Sequence, residues 1–455
     1  MLDGHFCSSI WAIISFRSLD AFGRTRSPAL MFNDQENSLS VGIDFGTTNS
    51  SVARRTREGV ELVQFANGTP SSRSILYLEK VRQGLLSSSG PEAIERYLTA
   101  HREGDRPGRL IQSLKSYLPS RTLSGTEVFG RNYRLEDLIS RILKDLRGQA
   151  ESQFGRPIRN VTVGRPVRFA GAETDEDDAF AVDRLTVAFH AAGFEDVVFE
   201  LEPLAAASSY QSTLDHDETI LIGDFGGGTS DFSLLRVGPG GRRKVLGNAG
   251  LPFAGDAFDA RIVRKLISPA LGSESLARGA KSIPAVPAWI YANLERWHYL
   301  SFLRTRNVLE LLTAARKRAL EPEKVEALLA LIEEDLGYQL HQAVQRTKLA
   351  LSRAEEAPFI FAGIDAGTLE LRTSVARGEF ELWIAPELQQ IAETVEALLA
   401  EASASGRDVD RVFLTGGTSF VPAVRGIFEA RFPGRVITGD EFTSVVRGLA
   451  LTASD

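Results

Sequence analysis

Two short stretches 180 positions apart constrain this chain more than anything else in it. One is "VGIDFGTTNSSVA", Val41 to Ala53, and the other is "TILIGDFGGGTSDFSLLRV", Thr219 to Val237. In each, an apolar run ends in Asp-x-Gly, crosses a turn rich in Gly and Thr, and enters a second β-prone run. That pattern predicts a strand–turn–strand hairpin. Asp44 and Asp224 occupy the same place in the two hairpins. Neither turn is a common phosphate loop, since one lacks the lysine of the Walker pattern and the other lacks G-x-G-x-x-G spacing.

The segments after each hairpin are also alike. The first is succeeded by the strands "VELVQF" and "SILYLE", the helix "LEDLISRILKDLRGQA" and the strand "PIRNVTVGRPV". The helix "AVDRLTVAFHAAGF", the strand "VVFEL" and the helix "EPLAAASSY" complete the half. After the second hairpin, residues 284–352 are almost wholly helical in pattern, with no glycine between Lys281 and Gly337. Strands lie in "PFIFAGIDAGTLELRTSVARGEFELWI", a helix in "PELQQIAETVEALLAEA", then "RVFLTGG" and the helix "FVPAVRGIFEARF". A hairpin succeeded by alternating helices and strands, twice, implies an α/β protein of two similar lobes arising by duplication. Each lobe should hold a mixed sheet, because hairpins pair antiparallel and βα alternations pair parallel.

Composition excludes several classes. At 455 residues the chain exceeds one ordinary domain. Its net charge of -7 argues against nucleic-acid and membrane-surface partners. No apolar run reaches the roughly 18 residues of a membrane helix. Cys7 is the only cysteine, so no internal disulfide exists and a reducing, cytoplasmic compartment is expected. The six histidines are scattered without zinc-ligand spacing. Residues 1–36 stand apart as an expected disordered extension. "SSIWAIISF" has the look of a signal core, but no Lys or Arg precedes it, and Met31 offers a second start.

The two turns make sense together. Successive amides in a Gly/Thr turn form an anion-binding concavity. Gly226, Gly227 and Gly228 leave room for close approach, while Thr47, Thr48 and Thr229 add hydroxyls. Asp44, Asp224 and Asp231 beside phosphates require a cation between them, and Mg²⁺ suits one or two carboxylates plus phosphates. Two facing hairpins would clamp a nucleoside triphosphate between lobes.

At this point the chain resembles a known family. Val41–Ala53, Leu221–Leu235 and "VFLTGGTSFVPAV" look like the two phosphate motifs and the adenosine motif of the actin / sugar-kinase / DnaK ATPase superfamily. "LEPLAAASSY", "DFGGGTSDFSLL" and "FAGDAFDARIV" are similar to DnaK-type heat-shock chaperones. The resemblance runs from about residue 40 to 452. It implies two actin-like, ribonuclease H-like lobes with a nucleotide cleft between them. Lobe I would cover 37–217 and lobe II 218–440, with a helical subdomain at about 265–356 and a C-terminal helix in 441–455. The long helical insert and the ending "GDEFTSVVRGLAL" look most like the YegD group of DnaK-like proteins.

The resemblance also implies roles. Gly46, Thr47, Thr48, Asn49, Gly226, Gly227, Gly228 and Thr229 would hold the phosphates of ATP or ADP. Asp44, Asp224 and Asp231 would hold Mg²⁺ through its waters. Lys115, Glu202, Thr229 and Asp231 would serve hydrolysis, Lys115 by positioning the attacking water. Gly416, Gly417, Thr418 and Phe420 would border the adenosine, as would Gln345, Lys348, Leu349 and Ser352. This last group departs from the family's E-x-x-K-R-x-x-S, with Gln345 for the glutamate and Leu349 for the arginine. Phe420 stands where a second arginine is usual, so Leu349 and Phe420 would sandwich the base.

With Asp455 as the last residue of this sequence, the family's peptide-gripping β-sandwich is expected to be absent. The expected function is a slow, Mg-dependent ATPase acting as a nucleotide-driven switch or chaperone-like factor. A small-molecule kinase and an actin-like assembly protein are the alternatives. In "VPAWIYANLERWHYLSFLR", helical spacing puts Trp289 and Trp297 on one face, expected as subdomain core. An exposed groove for a protein partner is the other reading.

Overall fold

The computed structural model describes residues 38–453 apart from 67, 83, 104–107, 212–213, 280–281, 297–298, 300–302, 363–368 and 439–442. Its frame is two mixed sheets of the same topology. In the first, Leu39–Phe45 pairs antiparallel with Asn49–Thr56, which pairs antiparallel with Gly59–Leu62. On its other side Leu39–Phe45 pairs parallel with Ile158–Arg165, and that strand with Asp196–Leu201. In the second sheet Glu218–Phe225 takes the central place. Ser230–Val237 and Arg243–Leu251 lie antiparallel to one side, and Arg411–Thr415 and Val436–Thr438 parallel to the other. Both sheets thus read 3-2-1-4-5 in order of appearance. The duplication expected from the hairpins is present in five strands of each sheet, the first adding the two-residue strand Ser72–Arg73 on Asn49–Thr56, and the fold is the two-lobed, actin-like one.

Buried apolar side chains explain the central strands, at alternating positions in the first and at consecutive ones in the second. Val41, Ile43 and Phe45 are fully buried, as are Ile220, Leu221, Ile222 and Phe225, so each central strand is covered on its faces by helices. Lobe I has its own core, in which Ile43 and Val163 meet Leu138, Ile142, Leu185 and Phe189 of helices Leu135–Phe154 and Asp175–Ala191. The second of these helices starts with a capping box between Thr174 and Asp177 and carries four acids in its first turn, which favours its N-terminus.

Lobe II and the helical insert share one core. Phe225, Phe232 and Phe428 join Ile290, Leu312, Leu328, Leu340 and Val344 from helices Ala288–Glu295, Arg306–Arg318, Pro322–Glu333 and Gly337–Leu351. The insert expected at 284–352 is predominantly helical in its described residues. Trp289 is not part of that core. It is 47% exposed, while Ile290, Tyr291 and Leu294 of the same helix face inward. Eight residues give barely two turns, and the inward arc is filled by these three. Trp297, expected beside it, lies outside the described residues.

Two helices bridge the lobes. Glu202–Gln211 packs Leu204 and Ala207 on Ile220 and Ile222 of lobe II. Ser444–Thr452, the last helix, returns to lobe I, where Val446 and Ala450 meet Ala53, and Leu449 meets Ala205. The crossing is tight enough to need glycine at 448, where any Cβ would run into the Ala205 carbonyl. A second contact joins the lobes above the cleft. The Tyr97 hydroxyl, on helix Gly90–Glu103, donates to the Asp335 carbonyl of the helical insert at 2.5 Å. Its ring meets that of Tyr338 edge-on at 5.8 Å.

Candidate functional site

A cleft of about 560 Å³ lies between the lobes, and the two expected turns face each other across it. Both turns close in the same way. The Gly46 amide donates to Asn49 O at 3.0 Å, and the Gly226 amide to Thr229 O at 3.0 Å. Among the described residues the amides of Thr47, Thr48, Gly227 and Gly228 donate to no protein acceptor. Amides left open in facing turns form an anion site.

In the second turn it is Gly227 that is there for space. None of Gly226, Gly227 and Gly228 has positive φ, so the backbone would tolerate other residues. A Cβ on Gly227, however, would lie 2.7 Å from Thr48 Oγ1 of the opposite turn. The turn is also braced from behind. Thr418 Oγ1 donates to Gly226 O at 3.0 Å, and the Asp256 amide donates to Gly227 O at 2.8 Å.

Below the turns the cleft is lined by carboxylates and one ammonium. Lys115 sits on the short helix Leu114–Tyr117, only 7% exposed, with its Nζ 2.7 Å from Glu202 Oε1. Burial pulls the Lys115 pKa down, but Glu202, Asp44 and Asp231 outweigh it, and the net direction is up. Lys115 is therefore a cation throughout the neutral range. Ser113, just before it, is a buried non-glycine residue at φ 54°, in the left-handed region. Such backbone strain persists only where surrounding structure enforces it.

The carboxylates move the other way. Burial first, and then the Glu202 charge, push Asp44 up to about 7 despite Lys115. Asp224 is raised well above the usual carboxylate range by burial, Glu202, Asp231 and Asp44. One ammonium thus does not balance this set of acids. Uncompensated hard-oxygen charge of this kind fits a divalent cation such as Mg²⁺. Among the described residues no three Asp, Glu, His or Cys side chains converge closely enough to ligate a metal directly.

The other end of the cleft is apolar and open. Leu349 is 50% exposed on helix Gly337–Leu351, and Phe420 is 37% exposed on the short helix Gly417–Phe420. Lys348 lines the cleft, but its ammonium is held by Asp259 Oδ1 at 2.7 Å and Gly255 O at 3.0 Å. Arg73 of lobe I reaches across and donates to Gln345 Oε1 at 3.1 Å. Gln345 therefore bridges the lobes as well as lining the cleft.

Gly46, Thr47, Thr48, Asn49, Gly226, Gly227, Gly228 and Thr229 all line the cleft. So do Asp44, Lys115, Glu202, Asp224, Gln345, Lys348, Leu349, Gly416, Gly417, Thr418 and Phe420. Two expected residues do not. Asp231 is buried behind the second turn, opposite Asp224 in register, and its Oδ1 accepts from the Val167 amide of lobe I at 2.7 Å. Burial and the Glu202 charge raise it to about 7. Ser352 is turned off the cleft, with its hydroxyl donating to Leu349 O at 2.7 Å. This is the usual local competition of a serine for backbone at a helix end. Arg353, one position on, lines the cleft in its stead. Sequence reasoning also missed Arg73, Ser71, Ser116 and Asp256, which line the cleft from loops and element ends without any periodic signal.

Comparison with known proteins agrees with this geometry. A sequence model of the Hsp70 protein family matches residues 115–276 and 330–454. The chain is 26% identical over 419 residues to the chaperone protein DnaK of Thermosipho africanus, covering 91% of this chain and 58% of that protein. It is 25% identical over 444 residues to the heat shock 70 kDa protein 7, chloroplastic, of Arabidopsis thaliana, covering 93% and 52%. A third, DnaK of Thermosipho melanesiensis, is 25% identical over 421 residues, covering 91% and 59%. The chain spans between half and three fifths of the length of these relatives. Since the family match begins at Lys115, takes in the second turn and resumes at residue 330 to run through the helix of Gln345 and the last bridging helix, the chain belongs to the Hsp70 protein family.

Proposed function

We propose that this chain binds Mg·ATP in the interlobe cleft, hydrolyses it slowly, and uses the change to alter how the lobes meet. The Hsp70 family is one of ATPases. The observation that carries the reading is the pair of facing turns with four unspent amides above the buried Lys115–Glu202 pair. The amides of both turns, with the hydroxyls of Thr47, Thr48 and Thr229, hold the phosphates. Asp44 and Asp224 hold Mg²⁺ through its waters, with Asp231 bracing the loop behind them. When bound, Mg²⁺ would supply neutralisation of charge on the phosphates. Lys115, fixed by Glu202, orients the attacking water.

Bridges above and across the cleft support the switch. Arg73–Gln345 and Tyr97–Asp335 join parts of different lobes, and each must break if the cleft opens. We take lobe I as 37–217, lobe II as 218–440 and the helical subdomain as about 265–356. The length of that insert is our reason for setting the chain beside the YegD group. The partner whose state is switched would be a protein docking on the helical subdomain, where Trp289 is exposed.

Calorimetry with Mg·ATP and phosphate release in the absence of any acceptor test this function together. Binding with slow phosphate release supports it. A folded protein that gives no heat with ATP or ADP refutes the clamp. Turnover only with an added acceptor would make it a kinase instead.

A further inference from the structure

The two turns approach each other at two levels. At the first, Thr48 Oγ1 closes the space over Gly227. At the second, the point where a Cβ of Gly228 would stand is 3.3 Å from Thr47 Oγ1 and 3.7 Å from Ser116 Oγ. Two hydroxyls, one on the first turn and one on the helix that carries Lys115, thus flank the same spot. Ser116 is partly buried and lines the cleft, and its hydroxyl makes no hydrogen bond with any described residue. Its direction follows from the backbone. Ser113, in the left-handed region, turns the chain, and the Ser116 amide donates to the Ser113 carbonyl at 3.0 Å. Successive side chains of the tight helix Leu114–Tyr117 project about 120° apart. Lys115 therefore reaches Glu202 while Ser116 faces Gly228.

A serine hydroxyl has one proton to donate and carries no charge of its own. Beside open amides it suits an anionic oxygen, to which such a bond is stronger than to a neutral one. The amides of the two turns would hold the phosphates of a diphosphate and a triphosphate alike. Ser116 differs because it adjoins Lys115, the residue to which the proposed function gives the attacking water. The phosphate within its reach is then the one that is attacked. We propose that Ser116 donates to an oxygen of the terminal phosphate of ATP and so lets the cleft tell the triphosphate from the diphosphate. The inference rests on the nucleotide-clamp reading and deepens it by naming a residue that reads the terminal phosphate.

The test is calorimetric binding of Mg·AMP-PNP, which keeps a terminal phosphate and resists hydrolysis, beside Mg·ADP, to the full chain and to Ser116→Ala. A hydrogen bond to a charged group carries about tenfold or more in affinity, so Ser116→Ala should weaken AMP-PNP by about that much and ADP by less than about twofold. Retained ADP binding also shows that the variant is folded. Ser116→Thr keeps the hydroxyl and should recover most of the loss. An equal loss of both nucleotides in Ser116→Ala overturns the inference, because the hydroxyl would then serve the inner phosphates or the fold. Unaltered AMP-PNP affinity overturns it too, even if phosphate release slows, because the serine would then act only through Lys115. Both of these results leave the clamp standing. If the unaltered chain binds neither nucleotide, the clamp itself falls and the inference falls with it.

Discussion

The two ends of the cleft handle polar groups in opposite ways. At the polar end Lys115, Glu202, Asp224 and Asp231 are buried, and each is held by another group of the protein or raised in proton affinity by its neighbours. At the apolar end Leu349 and Phe420 stand half open, and Arg353, without a side-chain partner among the described residues, is exposed. Buried charge is costly unless it is matched, so the polar end should tolerate little change, and the proposed chemistry would take place there. The open end would act on nucleotide affinity, and its exposed residues should vary without unfolding the protein.

Replacing Lys115 by alanine should have the largest effect. Removing one pre-organised charge from a buried phosphoryl-transfer site slows turnover roughly a hundred- to a thousandfold. Nucleotide binding should change far less, as calorimetry beside phosphate release will tell. A loss of binding equal to the loss of rate would erase the distinction between the two ends. Gly227→Ala comes next. Its Cβ meets Thr48 Oγ1, so overpacking should cost about 1–3 kcal/mol in denaturant unfolding. Adding Thr48→Ala should recover part of that, which a purely conformational role for Gly227 would not allow.

At the open end, Phe420→Ala should weaken nucleotide on the order of tenfold through lost stacking, with the single-turnover rate unchanged. A drop in that rate would mean Phe420 acts on the chemistry after all. A smaller effect concerns pH in metal-free buffer. Asp44 and Asp231 titrate near 7 in the folded chain, above their unfolded value, so the folded state holds more protons across that window. Their contribution to stability is therefore present at low pH and lost as pH rises through about 7. From pH 8 to pH 6, stability by urea unfolding in EDTA should rise by on the order of 1 kcal/mol. Asp44→Asn should flatten that rise, while Leu349→Ala should leave it intact. The smallest expected change is Tyr97→Phe, which removes one hydrogen bond to Asp335 worth about 1 kcal/mol. Nucleotide release, tracked by stopped flow, should quicken a few-fold with little change in melting temperature.

Much of the polar end was legible because its chemistry is local. Asp-x-Gly before a Gly/Thr turn is written in adjacent residues, so Asp44, Thr47, Thr48, Asp224 and Gly226 to Gly228 could be paired by inspection. Lys115 and Glu202 needed the family resemblance, since neither has a local pattern, and only folding brings them within 2.7 Å. Asp231 illustrates the limit. Its place in the hairpin was readable, but its carboxylate turns to the Val167 amide, a partner 64 positions away. At the open end, Ser352 and Arg353 exchange the expected role because a helix end can turn a serine onto its own backbone. Trp289 was misjudged because periodicity assigns a helix face without saying which face the core fills.

The sequence alone determined the duplicated hairpins, the strand-rich lobes and the helical insert, because alternation, turn residues and apolar spacing are short-range properties. Only the tertiary structure decided which turn amides stay open, that Gly227 is a glycine for the sake of Thr48, and that Arg73 reaches Gln345. Those facts depend on the distance between the lobes, which two packed helices fix and no stretch of one chain contains.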